Sequence, residues 1–234
     1  MKPLIFFFFP LSLLFSDFPF EIGEKLHYKG SFKGINAAQC ALEVLKKEKI
    51  NNIMTYHVQF IAKSIGITNF LFPINDKIDI WLSEDSLFTV RIIENIQEGN
   101  YKYSSEINLY PEYGFAVTNK DTFLVNEKVH SPYALFYFFR SKNLMDLKGQ
   151  NIKTIQNKKI IPLDILIEEN IEVSVGAGKF QCTKIEPVKK NKKKFKNNGE
   201  ISILFSNDQN RYPVKIWLKL KYGSLILELE KIIN

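Results

Sequence analysis

An alternating run near the end of the chain places the strictest limit on how this sequence can fold. From residue 214 to 221, apolar side chains occupy every second position, with lysines or a tryptophan between them. This period of two indicates a strand with one buried and one solvent-facing side. Pro213 has no N–H to donate and suits the start of such a strand. Turn-forming residues at 207–210 and 222–224 flank the run, so residues 199–230 predict a β-meander. The alternating apolar residues are Val214, Ile216, Leu218 and Leu220.

Strand patterns of this kind recur along most of the chain. The 234 residues contain no fixed-period repeat and no Pro/Ser-rich linker, which favours a single β domain. The segment 64–75 is apolar but irregular, and we interpret it as a loop that dips into the core or caps it. The other expected strands lie at 25–32, 40–44, 56–62, 78–82, 88–93, 101–109, 114–118, 122–125, 158–167, 171–175 and 179–187.

The segment 131–140 departs from the strand pattern. Ser131 suits a helix N-cap and Pro132 the first helical position. The residues that follow are apolar on nearly every side, so a helix here would be buried, while the run of four aromatic residues at 136–139 leaves a strand as the alternative. The sequence therefore predicts a mainly β fold: an antiparallel, strongly curved sheet, an open barrel or β-roll, with one short buried helix. Such a fold could be similar to those of lipoprotein carriers.

The first 16 residues have the pattern of a secretory signal peptide. Lys2 precedes an apolar run of about 13 residues, shorter than the roughly 20 that span a membrane. Cleavage after Ser16 would leave Asp17 at the N-terminus, and an uncleaved anchor is the alternative. No cysteine follows the run, so no lipid attachment is expected. We predict a signal peptide at 1–16, a single domain at 17–234, and a periplasmic or cell-envelope location.

The net charge of +7 permits contact with anionic partners without requiring it. Only three residues are arginines, and nucleic-acid readers usually concentrate arginines and aromatics on one face. We therefore expect no nucleic-acid partner. A lysine block at 189–196 is typical of a solvated loop, with contact to an anionic surface as the alternative. The lysines concerned are Lys189, Lys190, Lys192, Lys193 and Lys194.

No catalytic or metal-binding motif stands out. The spacing lacks His-x-x-x-His and paired-cysteine patterns, and no Gly-x-Ser-x-Gly elbow is present. We therefore expect no enzyme activity, no metal and no cofactor. The three histidines are His27, His57 and His130. His27 and His57 fall on the polar sides of their strands and are expected at the surface.

Structural roles are expected for the turn residues before the last meander strands. Asp208 and Arg211 flank a turn that Pro213 ends, and carboxylates in turns usually bond their own backbone. Asp76 and Asp79 are interpreted as structural in the same way.

Cys40 and Cys182 are the only cysteines. In an oxidising compartment they could form one disulfide. The alternative is two buried thiols that pack as small hydrophobic groups.

The order of several short motifs resembles the DUF3108 family, exported bacterial proteins with no assigned biochemical role. These motifs lie at 23–28, 76–81, 131–137 with Arg140, 176–180 with Cys182 and 185–187, 206–208 with 211–215, and 223–224. Ala37 and Ala38 depart from the pattern, since members often have a glycine there. The resemblance implies an envelope location and a mainly antiparallel β fold, and it brings no catalytic residues.

Two hypotheses for function follow. A curved sheet around an apolar helix could enclose a cavity for a lipid or another hydrophobic ligand. Its candidate lining is Phe70, Phe72, Leu135, Phe136 and Phe139. The alternative is an envelope scaffold or assembly factor with a filled core that acts on other envelope proteins through its surface.

Overall fold

The protein is built around one large antiparallel sheet. The computed structural model describes residues 18–156, 158–190, 200–220 and 223–234, and in these residues fourteen strands form a single sheet. The predicted leader, residues 1–16, lies outside the described residues. The strands are β1 Lys25–Phe32, β2 Ile35–Ile50, β3 Ile53–Ser64, β4 Asn75–Ser83, β5 Thr89–Glu98, β6 Tyr101–Tyr110, β7 Phe115–Thr118, β8 Thr122–Leu124, β9 Ile152–Gln156, β10 Lys159–Val175, β11 Gly178–Lys189, β12 Glu200–Ser206, β13 Pro213–Leu220 and β14 Gly223–Ile233. Two helices, α1 Gly66–Leu71 and α2 Ala134–Arg140, accompany them.

The sheet is strongly curved but not closed. Its order runs from β8 through β1 to β14 and back through β13 to β9, so β8 and β9 are the two edges. These edges approach one another: Leu109 of β6 and Ile155 of β9 belong to one hydrophobic cluster. An ion pair between Asp121 and Lys158 at 2.6 Å joins the β7–β8 and β9–β10 turns. The predicted fold class, a curved antiparallel sheet with a short buried helix, is therefore confirmed.

The closing meander pairs as its alternation predicts. Val214 and Ile216 of β13 are buried in the core, while Lys215 and Trp217 between them are only partly covered. Lys215 faces Glu228 across the β13–β14 ladder and forms an ion pair with it at 2.6 Å. A cross-strand pair of opposite charge on the outer side supports the register that the buried side sets.

Helix α2 forms where the sequence predicts it and fills the inside of the sheet. Its first residue is Ala134, but the Ser131 hydroxyl accepts a hydrogen bond from the Ala134 N–H at 3.2 Å. Ser131 also accepts from the Leu135 N–H through its carbonyl, so it performs the capping role expected of it. All seven residues of α2 are buried, in keeping with a helix that is apolar on every side.

Two strand predictions differ from the structure. The region predicted as two strands, 158–167 and 171–175, is one continuous strand, β10. A register shift between Glu168 and Ile171 keeps it paired with β11, and Asn170 there has a φ of 60°. A bulge of this kind interrupts the sequence pattern without ending the strand. Strand β9 has no clear alternation and was not expected; it is set by its pairing with β10.

The C-terminal end of α2 is fixed by a buried arginine. Arg140 is 1% exposed and forms a bidentate ion pair with Glu24, with N···O distances of 2.6 and 2.7 Å. Its other bonds go to the Pro19 carbonyl at 2.6 Å and the Asn210 carbonyl at 3.0 Å. Burial alone would lower the pKa of Arg140, but the hydrogen bonds and charge of Glu24 raise it above its ordinary value. The guanidinium therefore stays charged inside the protein and joins α2 to two distant segments.

Aromatic rings surround this ion pair and keep water from it. The guanidinium carbon lies 5.5 Å from the Phe20 ring centre, 5.9 Å from Tyr137 and 5.3 Å from Tyr212. Next to them, the Tyr28 hydroxyl donates to the Pro213 carbonyl at 2.9 Å. Cation–π contacts of this kind strengthen in a desolvated site, so the rings contribute to holding the charge in place.

Replacing Arg140 should destabilise the fold strongly. Removing one partner of a buried ion pair leaves the other charge buried and unpaired, which costs about 3–5 kcal/mol. We expect Arg140→Met to lower the free energy of unfolding by that amount in urea denaturation at neutral pH. The matched control is Lys25→Met, which removes the surface pair with Glu43 at 2.8 Å and should cost less than about 1 kcal/mol. Equal, small effects of both changes would contradict this assignment.

Candidate functional site

Three of the five residues predicted to line a ligand cavity lie in the closed core. Leu135, Phe136 and Phe139 of α2 are 7%, 8% and 0% exposed. The Phe139 ring meets Phe205 of β12 edge to face at 6.0 Å. One hydrophobic cluster contains α2 together with residues of strands from both halves of the sheet. These side chains therefore act in packing, as the filling of the curved sheet.

The other two predicted lining residues lie outside. Phe70 is 86% exposed and Phe72 is 50% exposed. The five residues therefore do not form one lining, and whether any of them binds a ligand stays a prediction. The segment 64–75 also departs from the expected loop, because it forms helix α1 and no residue of α1 is buried. Helix α1 does not enter the core, whereas Ile74 after it packs against the core.

The exposed apolar residues of this segment form one surface, which we call the α1 rim: Ile67, Phe70, Leu71 and Phe72. Ile67 and Leu71 are 68% and 71% exposed. Positions 67, 70 and 71 are spaced i, i+3 and i+4, so they lie on one side of the helix. That side faces solvent, which makes α1 an amphipathic helix turned outward.

Backbone contacts hold the α1 rim at one end of the sheet. The Ile65 N–H donates to the Ala37 carbonyl of β2 at 3.0 Å, and the Gly99 N–H donates to the Pro73 carbonyl at 2.7 Å. The Ser64 hydroxyl closes the segment by donating to Asn69 and accepting from the Ile74 N–H, both at 2.8 Å. The helix is therefore fixed to β2, β3 and the β5–β6 turn, with its apolar side left uncovered.

Phe72 is positioned by a glycine. Gly99 has a φ of 60°, and a Cβ there would lie 2.8 Å from the Phe72 ring. Only glycine combines this left-handed backbone with the close approach of the ring. The β5–β6 turn therefore seats Phe72 beside the other residues of the α1 rim.

The spacing at 67, 70 and 71 is the signal that could have identified this surface from the sequence. This helical pattern spans only three positions, and the other apolar residues of segment 64–75 make its spacing hard to recognise. An apolar helical side also predicts burial more often than exposure, so sequence reasoning placed it inside.

The turn at 207–213 is a structural element attached to the Arg140 cluster. Asp208 accepts hydrogen bonds from the backbone N–H groups of Asn210 at 2.9 Å and Arg211 at 3.1 Å. Arg211 has a φ of 45°, and its guanidinium donates to the Arg140 carbonyl at 2.8 Å. Pro213 then begins β13. The turn therefore braces the end of α2.

The profile of the DUF3108 family, described as proteins of unknown function, matches residues 25–230. The chain belongs to this family. The match covers β1 to β14, so the resemblance drawn from the short motifs is confirmed. No curated protein matches the sequence.

One solved structure supports the fold, and two others are similar over most of their length with lower scores. A β-barrel-like protein of the DUF1849 domain from Brucella abortus is similar with a TM-score of 0.57 and 10% identity, over 90% of this chain and 97% of that one. A proposed lipoprotein from Parabacteroides distasonis has a TM-score of 0.43 and 14% identity, over 93% and 98% of the two chains. A proposed exported protein with a YmcC-like fold from Bacteroides fragilis has a TM-score of 0.40 and 9% identity, over 93% of this chain and 98% of that one. At 10% identity the Brucella protein shows the fold alone.

The outer side of the sheet contains a polar ladder that the sequence did not reveal. His57, Trp81 and Arg91 lie opposite one another on β3, β4 and β5. The His57 ring stacks on Trp81 at 4.3 Å, and the Arg91 guanidinium lies 4.9 Å from the Trp81 ring. His57 Nε2 lies 2.9 Å from Asp79 Oδ1. Burial alone would raise the pKa of Asp79, but hydrogen bonds from His57 and Gln59 lower it.

The prediction of an exposed His57 is therefore wrong, since its side chain is 12% exposed. Cross-strand stacking on Trp81 covers it. His27 is partly buried in β1. Burial lowers the pKa of His130 to about 4, although Nδ1 lies 3.0 Å from the Leu87 carbonyl. In the described part of the chain no three His, Cys, Asp or Glu side chains are grouped as a metal site.

The predicted anionic-contact lysines are only partly described. Lys189 ends β11, and the Lys190 N–H donates to the Pro162 carbonyl at 3.1 Å. Lys192, Lys193 and Lys194 lie outside the described residues. Among the residues that are described, no helix is long and apolar enough to cross a membrane.

The two cysteines are buried free thiols. Cys40 in β2 is 5% exposed and Cys182 in β11 is 0% exposed. Burial, with a smaller effect of Asp76, raises the pKa of Cys40 to about 12. Burial, with a smaller effect of Asp208, raises the pKa of Cys182 to about 11. The structure thus has the second of the two predicted arrangements, in which both thiols serve as packing groups.

Both thiols should resist modification in the folded protein. Since the thiolate is the nucleophile, only about one thiol in a thousand or fewer is reactive at pH 8 when the pKa is 11 or higher. We expect Ellman's reagent to detect two thiols per chain in denaturant without reductant, and almost none in the native protein over the same time. Fewer than two thiols in denaturant would establish a disulfide and contradict the structure.

Proposed function

We propose that this chain is an exported, non-enzymatic protein of the cell envelope that binds its target through the α1 rim. The observation that carries this proposal is the exposure of Phe70, 86%, on a helix with no buried residue. Single exposed apolar residues are ordinary on protein surfaces, but a contiguous apolar cluster usually marks an interaction site. Here four such residues lie within six positions of the chain, on a segment that backbone hydrogen bonds attach to β2 and the β5–β6 turn.

The filled interior favours a surface-acting protein over a carrier. A carrier needs a cavity that covers most of its ligand. Inside this sheet the corresponding space contains α2, whose seven residues are all buried. Opening it would require moving a helix that Arg140 ties to Glu24 and to the Pro19 and Asn210 carbonyls. The geometry therefore supports the hypothesis of a scaffold or assembly factor with a filled core.

The exported and non-enzymatic parts of this proposal are supported by the sequence. The apolar run after Lys2 has the pattern of a signal peptide. The sequence has no catalytic motif, and the DUF3108 family has no assigned activity to transfer. An envelope protein that works by binding fits both observations.

Site-specific photo-crosslinking in intact cells tests this proposal. A photoreactive phenylalanine analogue replaces Phe70 in one variant and Leu124 in another. Leu124 of β8 is the matched control, because it is also apolar and 84% exposed but lies at the sheet edge. We expect adducts to an envelope component, protein or lipid, from position 70 and few from position 124. No adduct at position 70, or equal labelling from both positions, would refute a role for the α1 rim.

A further inference from the structure

We infer that the target of the α1 rim is the surface of an anionic phospholipid bilayer. This inference rests on the proposed function, because it names the partner of the same surface. It follows from three features of the described residues: the exposure of the apolar cluster, the lysines around it, and the tyrosines beside it.

The apolar cluster is small and strongly exposed. It presents on the order of 500 Å² of apolar surface, since each of its four side chains covers roughly 200 Å² and is half or more exposed. Stable protein–protein interfaces bury about 800 Å² on each partner and need a complementary shape. Binding to a bilayer does not require a complementary surface, because apolar side chains of any shape can be buried at the boundary between headgroups and acyl chains. An exposed helix with phenylalanine and leucine in its last turn suits insertion into that boundary.

Unpaired lysines surround the cluster. Lys33 lies in the β1–β2 turn, Lys63 near the end of β3, and Lys102 near the start of β6. The register places all three at the same end of the sheet, since Ala38 pairs with Ser64 and Ile74 with Glu98. All three are exposed, and none forms an ion pair with another described residue. Anionic headgroups would supply the missing counter-charges.

The two acidic residues at this end of the sheet, Glu98 and Asp76, do not cancel the positive charge of the three lysines. Glu98, which precedes Gly99, is an exposed carboxylate. Asp76 is buried and accepts a hydrogen bond from the Gln97 N–H at 2.8 Å. Burial raises the pKa of Asp76, against the effect of that bond. Lys33, Lys63 and Lys102 therefore outnumber Glu98 among the exposed charges named at this end of the sheet.

Two tyrosines complete the surface. Tyr101 and Tyr103 at the start of β6 are 57% and 44% exposed, and their rings stack at 6.4 Å. Tyrosine favours the level of lipid headgroups because its ring is apolar and its hydroxyl is polar. One end of the sheet therefore carries the apolar α1 rim, two exposed tyrosines and three exposed lysines, which are the groups that suit the hydrocarbon boundary and the anionic headgroups of a bilayer.

The test is a fluorescent probe on the α1 rim. An environment-sensitive dye is attached to Leu71→Cys and, as a matched control, to Leu124→Cys, in the protein as purified from the cell. The native thiols, Cys40 and Cys182, are buried and should not be labelled. Vesicles are made of phosphatidylcholine alone or with an equal amount of phosphatidylglycerol, with and without a quencher in the hydrocarbon region.

With anionic vesicles we expect the dye at 71 to shift to the blue and to be quenched from within the bilayer, while the dye at 124 does not change. Binding to neutral vesicles should be at least tenfold weaker. Replacing Lys33, Lys63 and Lys102 with glutamine should reduce the apparent affinity for anionic vesicles about fivefold per lysine, and added salt should do the same. Adding Phe70→Ser to the protein labelled at Leu71→Cys should remove most of the blue shift of the dye.

An unchanged dye at 71, or equal changes at 71 and 124, would overturn the lipid inference. The crosslinking experiment then separates the two claims. Protein adducts at position 70 without insertion at 71 would leave the proposed surface function standing with a protein target. Failure of both experiments would refute the surface function as well.

Discussion

The buried ion pair between Arg140 and Glu24 is the constraint on which the rest of the structure depends. A fixed charge inside an apolar core is tolerated only when its donors are satisfied and its counter-charge is close. Here the bidentate pair, the Pro19 and Asn210 carbonyls, and three aromatic rings meet that requirement. Because its partners come from the N-terminal segment and from the turn before β13, one side chain ties both to the central helix. The sheet can then curve around α2.

A helix fixed in this way makes the inside of the sheet a core. If α2 could leave the inside of the sheet, the same fold would have a ligand cavity there. The aromatic content of the sequence is compatible with a packed core and with a cavity. What distinguishes them is the burial of every residue of α2, together with the apolar residues that remain outside on α1. These uncovered residues lie at one end of the sheet, where backbone hydrogen bonds to Ala37 and Pro73 hold the α1 rim in place.

The sequence predicts the local features well because they depend on neighbouring residues. Alternation at 214–218 identifies a strand, and Ser131 with Pro132 identifies the start of a buried helix. It does not predict contacts between distant residues: Arg140 and Glu24 are 116 positions apart, and the stack of His57 on Trp81 follows from the pairing of β3 with β4. The sequence does not predict the exposed α1 rim, for a related reason. Apolar content at Phe70 and Phe72 predicts burial, but the backbone attachments to Ala37 and Pro73 hold the segment with both side chains exposed.

Hydrogen–deuterium exchange on the protein with and without anionic vesicles tests the central claim most directly, because it reports on α2 and α1 together. We predict that the amides of α2 stay protected in both conditions, as expected of a core element. The amides of α1 should exchange rapidly in the free protein and slow down when vesicles are added. Exchange in α2 that changes with lipid while α1 remains unaffected would contradict this account and indicate a ligand held inside the sheet.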